Sequence, residues 1–199
     1  MKEKTYHHEN LKKELIEAGI EMMNEEGEDA LSLRKIAARC NVSNAAPYAH
    51  FAGKEELLEA MRQYVTDEFT KRMEQAIDEC KHPDTDEVIR CMGREYVRFF
   101  IANPDYYKFL YFHDFIKVDL SPDSRDNFRP FDLLKENVIR INKIGHVKKT
   151  KKEQEIEIVK LWTAVQGLAS IASLPNVKCD YPWDKIIDEV LFKREAQAW

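Results

Sequence analysis

Between Leu31 and Lys54 the chain carries the basic residues Arg34, Lys35, Arg39 and Lys54 and not one Asp or Glu, although the whole sequence holds 36 acids. A nucleic-acid duplex presents a fixed lattice of phosphates, and contact with it requires a locally basic window free of carboxylates. The same window has the spacing of a helix-turn-helix. Such a unit needs a small residue where two helices cross, a residue tolerant of positive φ four places later, and apolar residues between them. Ala37 is the small residue, Asn41 the turn residue, and Ile36, Cys40, Val42, Pro47 and Phe51 the filling. Paired helices with a small crossing residue also occur in ordinary cores, so the spacing alone leaves both readings open.

Other chemistry is poorly supplied. Cys40, Cys80, Cys91 and Cys179 are scattered with neither a CxxC nor a metal-finger spacing, and are expected as reduced thiols. The pair of Glu-x-x-His motifs that a helical di-metal centre uses is missing, and no nucleophile and base stand in a recognisable arrangement. The expectation is a protein that is not an enzyme and uses no metal or cofactor. The alternatives are a cofactor-binding helical enzyme and a helical interaction protein that reads no DNA.

The elements that would carry the window are helical. Six Gly and seven Pro in 199 residues leave few turns, and the abundant Glu and Lys favour helix. Leu11, Leu15, Ala18 and Met22 recur at helical spacing up to Gly27. A short helix follows from Ser32 to Arg39, then a turn at Asn41, and a second short helix starting near Ser43 with Pro47 close to its beginning. The stripe Leu58, Met61, Val65, Phe69, Met73, Ala76 and Cys80 predicts a long helix from Lys54 to Cys80, stopped by Pro83. A further helix is expected from a capping box at Asp84 and Glu87 to Asn103, a short one to about Phe112, and a loop over Phe115–Arg125. Three more helices are expected: to Gly145, from Glu153 to Leu174, and from Trp183 to the C-terminus. The fold class is therefore all-α with about nine helices, with a domain over 1–53 and a second over 54–199.

A net charge of −5 argues against a protein coated in positive charge, though not against a small basic face. The longest stretch without Asp, Glu, Lys or Arg runs over the 17 residues from Leu161 to Val177 and includes Gln166, Pro175 and Asn176. A spanning helix needs roughly 20 mostly apolar residues. Met1-Lys2-Glu3-Lys4 lacks the apolar core of an export signal, so the expected location is the cytoplasm.

The run Tyr6-His7-His8-Glu9-Asn10-Leu11, Ser32-Leu33-Arg34-Lys35-Ile36-Ala37, Val42-Ser43-Asn44-Ala45-Ala46-Pro47-Tyr48-Ala49-His50-Phe51 and Lys54-Glu55-Glu56-Leu57-Leu58 closely resembles the DNA-binding domain of the TetR/AcrR family of bacterial transcriptional regulators. Leu161-Trp162-Thr163-Ala164-Val165-Gln166-Gly167-Leu168-Ala169-Ser170 looks like the family's Trp-His-Gly type of ligand-binding and dimerisation domain, here with Gln166 in place of the His. Asn41 also replaces the usual turn Gly, and Ala49 an often basic residue. The resemblance implies a homodimeric regulator on a near-palindromic double-stranded operator, acting as a repressor whose operator affinity a small apolar or aromatic effector lowers. It implies DNA contacts from Ser32, Arg34, Ser43, Asn44, Ala45, Ala46, Tyr48, His50 and Lys54, with His50 favoured as a packed residue of the motif rather than a base reader. Asn can pair with adenine, Ala methyls can touch thymine methyls, and Tyr and Lys suit phosphates. His7 and His8 are expected near the DNA backbone or solvated.

Eleven of the 21 aromatic residues fall within the 36 positions from Tyr96 to Phe131. They fill helix interfaces or, as the resemblance implies, line an effector cavity, for which Tyr96, Phe99, Phe100, Phe109, Phe112, His113, Phe131, Trp162 and Gln166 are the expected residues. The helix around Trp162 is apolar on several faces and must be covered on all of them. A second subunit is expected over Ala164, Gly167, Leu168 and Ile171, together with Ile187, Val190 and Leu191 of the last helix.

Overall fold

The computed structural model describes residues 2–192 except 114, 122 and 126, with side chains from residue 10 to residue 191. Among the described residues every regular element is helical. These are α1 Lys2–Glu26, α2 Leu33–Arg39, α3 Lys54–Asp78, α4 Glu87–Ala102, α5 Pro104–Phe112, α6 Arg129–Ile144, α7 Lys151–Ala172 and α8 Trp183–Phe192, with 3-10 helices at Glu28–Ala30 and Pro47–Ala49. The all-α expectation holds. The ninth helix, expected from Ser43, is absent as an α-helix, and the helix expected to reach the C-terminus is described only to Phe192.

Contacts divide the chain into one unit of residues up to Asp67 with Lys108–Phe115, and another of Glu68–Tyr107 with everything from Ile116 onward. The division by contacts falls within α3, whose first half is spent in the first unit's core. Leu57, Met61 and Val65 are fully buried there with Leu15, Ile20 and Ile36. A Cβ on Gly19 would come within 2.8 Å of Met61 Sδ and 3.5 Å of Ile36 Cδ1, so α1 approaches α3 as closely as a glycine allows.

Two helix starts differ in detail from expectation. α4 begins at Glu87, not Asp84; the Glu87 amide donates to Thr85 Oγ1 at 3.2 Å, while Asp84 pairs with Arg140 at 2.5 Å. α7 opens on a reciprocal capping box in which Thr150 Oγ1 accepts from the Glu153 amide and the Glu153 carboxylate accepts from the Thr150 amide at 2.7 Å. Those bonds hold the Glu153 carboxyl below its ordinary range.

In the second unit α4 packs against α6, α7 and α8. Its apolar face buries Val88, Met92, Tyr96, Val97, Phe99 and Phe100. Phe69, fully buried, has ring centroids of Phe99, Phe100 and Tyr96 at 4.8, 4.7 and 5.1 Å. On the solvent side Arg94 and Arg98 pair with Asp188 and Asp184 of α8 at 2.5 and 2.7 Å, and the Arg98 guanidinium holds the Asp184 carboxyl below its usual range. All four cysteines are free thiols; Cys91 Sγ lies 3.2 Å from Cys80 Sγ, and burial first, then the bond to Cys80, pushes the Cys91 thiol up to about 11. Lys135 is fully buried and donates to the carbonyls of Ser124 and Asp119 at 2.8 and 3.2 Å, pinning the segment ahead of α6. Removing the ring that three aromatic neighbours enclose, Phe69→Ala, is expected to cost about 3–5 kcal/mol in urea denaturation followed by circular dichroism.

Candidate nucleic-acid interface and ligand cavity

The first unit turns twice before its exposed segment. Gly27 ends α1 at φ 86, a conformation that suits an unsubstituted residue, and the chain passes through Glu28–Ala30 into α2. Leu33, Ile36 and Ala37 bury the inner face of α2. Its C-terminus is a Schellman turn: Asn41 sits at φ 54, its amide donates to Ala38 O at 3.1 Å, and the Val42 amide donates to Ala37 O at 2.9 Å. Asn41 thus fills the turn position expected of it, at a positive φ that Asn tolerates.

From Ser43 to His50 the backbone closes i to i+3 bonds: Ala46 to Ser43, Tyr48 to Ala45, Ala49 to Ala46 and His50 to Pro47, at 2.9 to 3.2 Å. Pro47 has no N–H to offer Ser43 O, so the i to i−4 ladder of an α-helix cannot pass through it. That absent donor corrects the expected short α-helix to 3-10 geometry. The segment still presents Ser43, Asn44 and Ala45 to solvent, leaves Ala46 half-buried and exposes 52% of Tyr48, while Pro47 and Phe51 anchor it inward. His50 is half-buried, its ring 6.2 Å from that of Phe51, which is the packing role. Ser32 stands at the N-cap of α2 with no side-chain capping bond. The side chains of His7 and His8 lie outside those described.

Charge in this unit is arranged differently from its order along the chain. Arg39 is bound to Glu25 at 2.8 Å, with Glu26 and Glu21 at 3.5 and 3.8 Å, and Lys35 to Glu26 at 3.1 Å. The ammonium of Lys54, at the start of α3, donates to Glu28 O at 2.7 Å. Arg34 is exposed and makes no ion pair among the described residues. Of the four cations in the acid-free window, only Arg34 therefore keeps its charge uncommitted; the acids of α1, distant in sequence, meet two of the others.

The second unit contains an apolar cavity of about 190 Å³, walled by Met73 of α3, Ile89, Met92, Gly93 and Tyr96 of α4, Pro130 and Leu134 of α6, Leu191 of α8, and Lys160, Leu161, Trp162, Ala164 and Val165 of α7. Of the residues expected at an effector site, Tyr96 and Trp162 line it. Their rings meet edge to face at 5.4 Å, and the Tyr96 hydroxyl donates to Gln166 Oε1. Phe131 stands behind Trp162, 4.9 Å away and fully buried, and Phe99 and Phe100 are buried in the Phe69 cluster. Phe109, Phe112 and His113 fall in the first unit. Phe109 is fully buried with the Phe115 ring at 4.9 Å, His113 is half-buried at 6.2 Å from Phe109, and Phe112 is 70% exposed.

Residues expected at a subunit interface also divide. Leu168 and Ile187 are buried in their own chain, and Ala164 and Leu191 line the cavity. Ile171 and Val190 are 52% and 56% exposed, and a Cβ on Gly167 would meet nothing within 4 Å. Sequence reasoning missed Met73, Met92, Leu134 and Val165 as wall residues; helical periodicity assigns all of them to a core and carries no mark of a void.

Residues 15–61 match the family model of bacterial regulatory proteins, tetR family. Over 47 residues the chain is 47% identical to the tetracycline repressor protein class G of Vibrio anguillarum, a match covering 24% of this chain and only 22% of that protein. It is 26% identical over 183 residues to the nucleoid occlusion factor SlmA of Vibrio cholerae serotype O1, covering 87% of this chain and 92% of that one. Among solved structures, AibR in complex with isovaleryl coenzyme A and operator DNA superposes with a TM-score of 0.62 at 17% identity, over 90% of this chain and 97% of that one. Among the described residues no helix is long and apolar enough to cross a membrane, and no cluster of His, Cys, Asp or Glu could hold a metal ion.

The pairing of cations makes a direct test. Arg39→Gln is expected to lower the thermal midpoint of unfolding, more at low salt than at high, whereas Arg34→Gln leaves it unchanged.

Proposed function

We propose that the chain is a DNA-binding regulator of the tetR family and acts as a homodimeric repressor whose affinity for a near-palindromic operator falls when a small apolar effector enters the cavity beside Tyr96 and Trp162. The observation that carries the DNA-binding part is the family match over 15–61, which spans the Schellman turn at Asn41 and the exposed segment after it. Ser43, Asn44 and Ala45 would face base edges, while Tyr48, Arg34, Ser32 and Lys54 would serve phosphates. Lys54 would exchange its bond to the Glu28 carbonyl for a phosphate oxygen, a stronger charged acceptor.

A segment this short reaches only a few base pairs, so a specific site calls for two copies with half-sites about one helical turn apart. Support for a second copy comes from the uncovered apolar side chains of α7, the residues just after it and α8: Ile156, Val159, Ile171, Leu174 and Val190 are each more than a third exposed, around an open Gly167. An effector can shift the protein only through differential affinity, so it must bind free protein more tightly than operator-bound protein.

Binding of the purified protein to fragments of its own upstream DNA tests the reading. Asn44→Ala is expected to change sequence preference, and Tyr48→Phe and Arg34→Gln to weaken specific and unrelated DNA alike, with Arg34→Gln flattening the salt slope by about one. Unchanged binding in all three would remove the segment from the interface. For the dimer, Ile171→Asp is expected to give a folded monomer in analytical ultracentrifugation with lost operator affinity; a monomeric unsubstituted protein at micromolar concentration contradicts it.

A further inference from the structure

The cavity in the second unit carries one charged side chain on its wall. Met73, Met92, Tyr96, Leu134 and Val165 make its inner surface and are all buried. Lys160 of α7 also lines it and is exposed, so a flexible cationic side chain borders both solvent and an otherwise apolar wall. The acid one turn before it, Glu157, is already engaged by Asn142 at 2.8 Å and Lys149 at 2.5 Å. Lys160 itself makes no ion pair or hydrogen bond among the described residues. This sets it apart from Arg94 and Arg98 of the same unit, whose guanidinium groups are committed to Asp188 and Asp184.

We infer that the cavity takes a small amphipathic carboxylate, with its apolar body among the buried side chains and its carboxylate at Lys160. The inference rests on the reading of this cavity as the effector site and names the chemical class that would fill it. Size comes first: a buried apolar cavity of about 150 Å³ accommodates a benzene molecule, so 190 Å³ suits a ring with a short substituent or an alkyl chain of similar bulk. Polarity comes second. A charged group driven inward would lose its hydration with nothing to replace it. The Tyr96 hydroxyl on the inner wall already gives its proton to Gln166 and has none left for a carboxylate. The charge of the ligand therefore belongs at the mouth, and its sign must oppose that of Lys160. An ammonium there would meet repulsion, and a neutral alcohol would gain burial without the ion pair.

Calorimetric titration of the purified protein with hexanoate, hexanol and hexylamine tests this, since the three share one apolar body and differ in head-group charge. The expected order is acid, alcohol, amine. The acid should lead the alcohol by about fivefold, the scale of a solvent-exposed ion pair, and the lead should shrink at high salt. Affinity of the acids should rise about fourfold per added methylene until the cavity is full. Lys160→Gln should abolish the lead, and Lys160→Glu should place the amine first; both changes are on an exposed position, and unchanged helical circular dichroism checks the fold. Equal affinity for the three compounds, preference for the amine, no binding at millimolar concentration, or an acid preference that survives Lys160→Glu each overturns the inference. Operator affinity is measured separately. Hexanoate binding with no effect on DNA keeps the ligand class and overturns the effector role, and failure to bind DNA at all overturns the regulator reading while leaving the ligand class standing.

Discussion

Everything the first unit presents to the outside depends on one backbone reversal. At Asn41 the chain takes φ 54, which lets the Val42 amide reach back to the Ala37 carbonyl and ends α2 after only seven residues. A residue with a β-branched side chain could not hold that conformation cheaply, whereas Asn tolerates it. The turn allows Pro47 and Phe51 to enter the core while Ser43, Asn44, Ala45 and Tyr48 stay outside. Pro47 then removes an amide from the ladder, so the exposed segment winds in 3-10 turns. Local backbone chemistry thus sets both which residues are offered and how they are spaced.

The charge of that surface is set by long-range pairing. Arg39 and Lys35 serve the end of α1, where their carboxylate partners lie. They link α2 to α1, which leaves Arg34 without an ion pair among the described residues and Lys54 on a neutral carbonyl, that of Glu28. A basic window in a sequence is a count of charges, while an interface needs charges without competing partners.

In the second unit the aromatic residues act mainly as core. Phe69, Phe99 and Phe100 form one packed cluster, and Phe131 backs Trp162 without reaching the cavity. Among the described residues Tyr96 and Trp162 are the aromatic ones that line the void, and Met, Leu and Val side chains make much of the remaining wall. At Gln166 a neutral amide oxygen accepts the Tyr96 hydroxyl, so this bond carries no ionisable nitrogen.

Several features were legible before any coordinates. Apolar spacing at Leu15, Met22, Met61, Val65 and Phe69 marked helices whose inner faces are indeed buried. Asn41 marked the turn, and the Asn103-Pro104 pair marked the start of α5. Each of these depends on residues within a few positions of one another, where steric and hydrogen-bonding preferences act directly. The chain alone therefore determined the all-helical class, most helix limits and the order of the helix-turn-helix. The tertiary structure decided the rest. It paired Arg39 with Glu25, brought Tyr96 to Gln166, buried Leu168 and Ile187 within one chain, and left Lys160 unpaired beside a void. Pairing, burial and empty space are properties of where distant segments meet, and a periodic apolar pattern looks the same whether its neighbour is a packed side chain or a cavity.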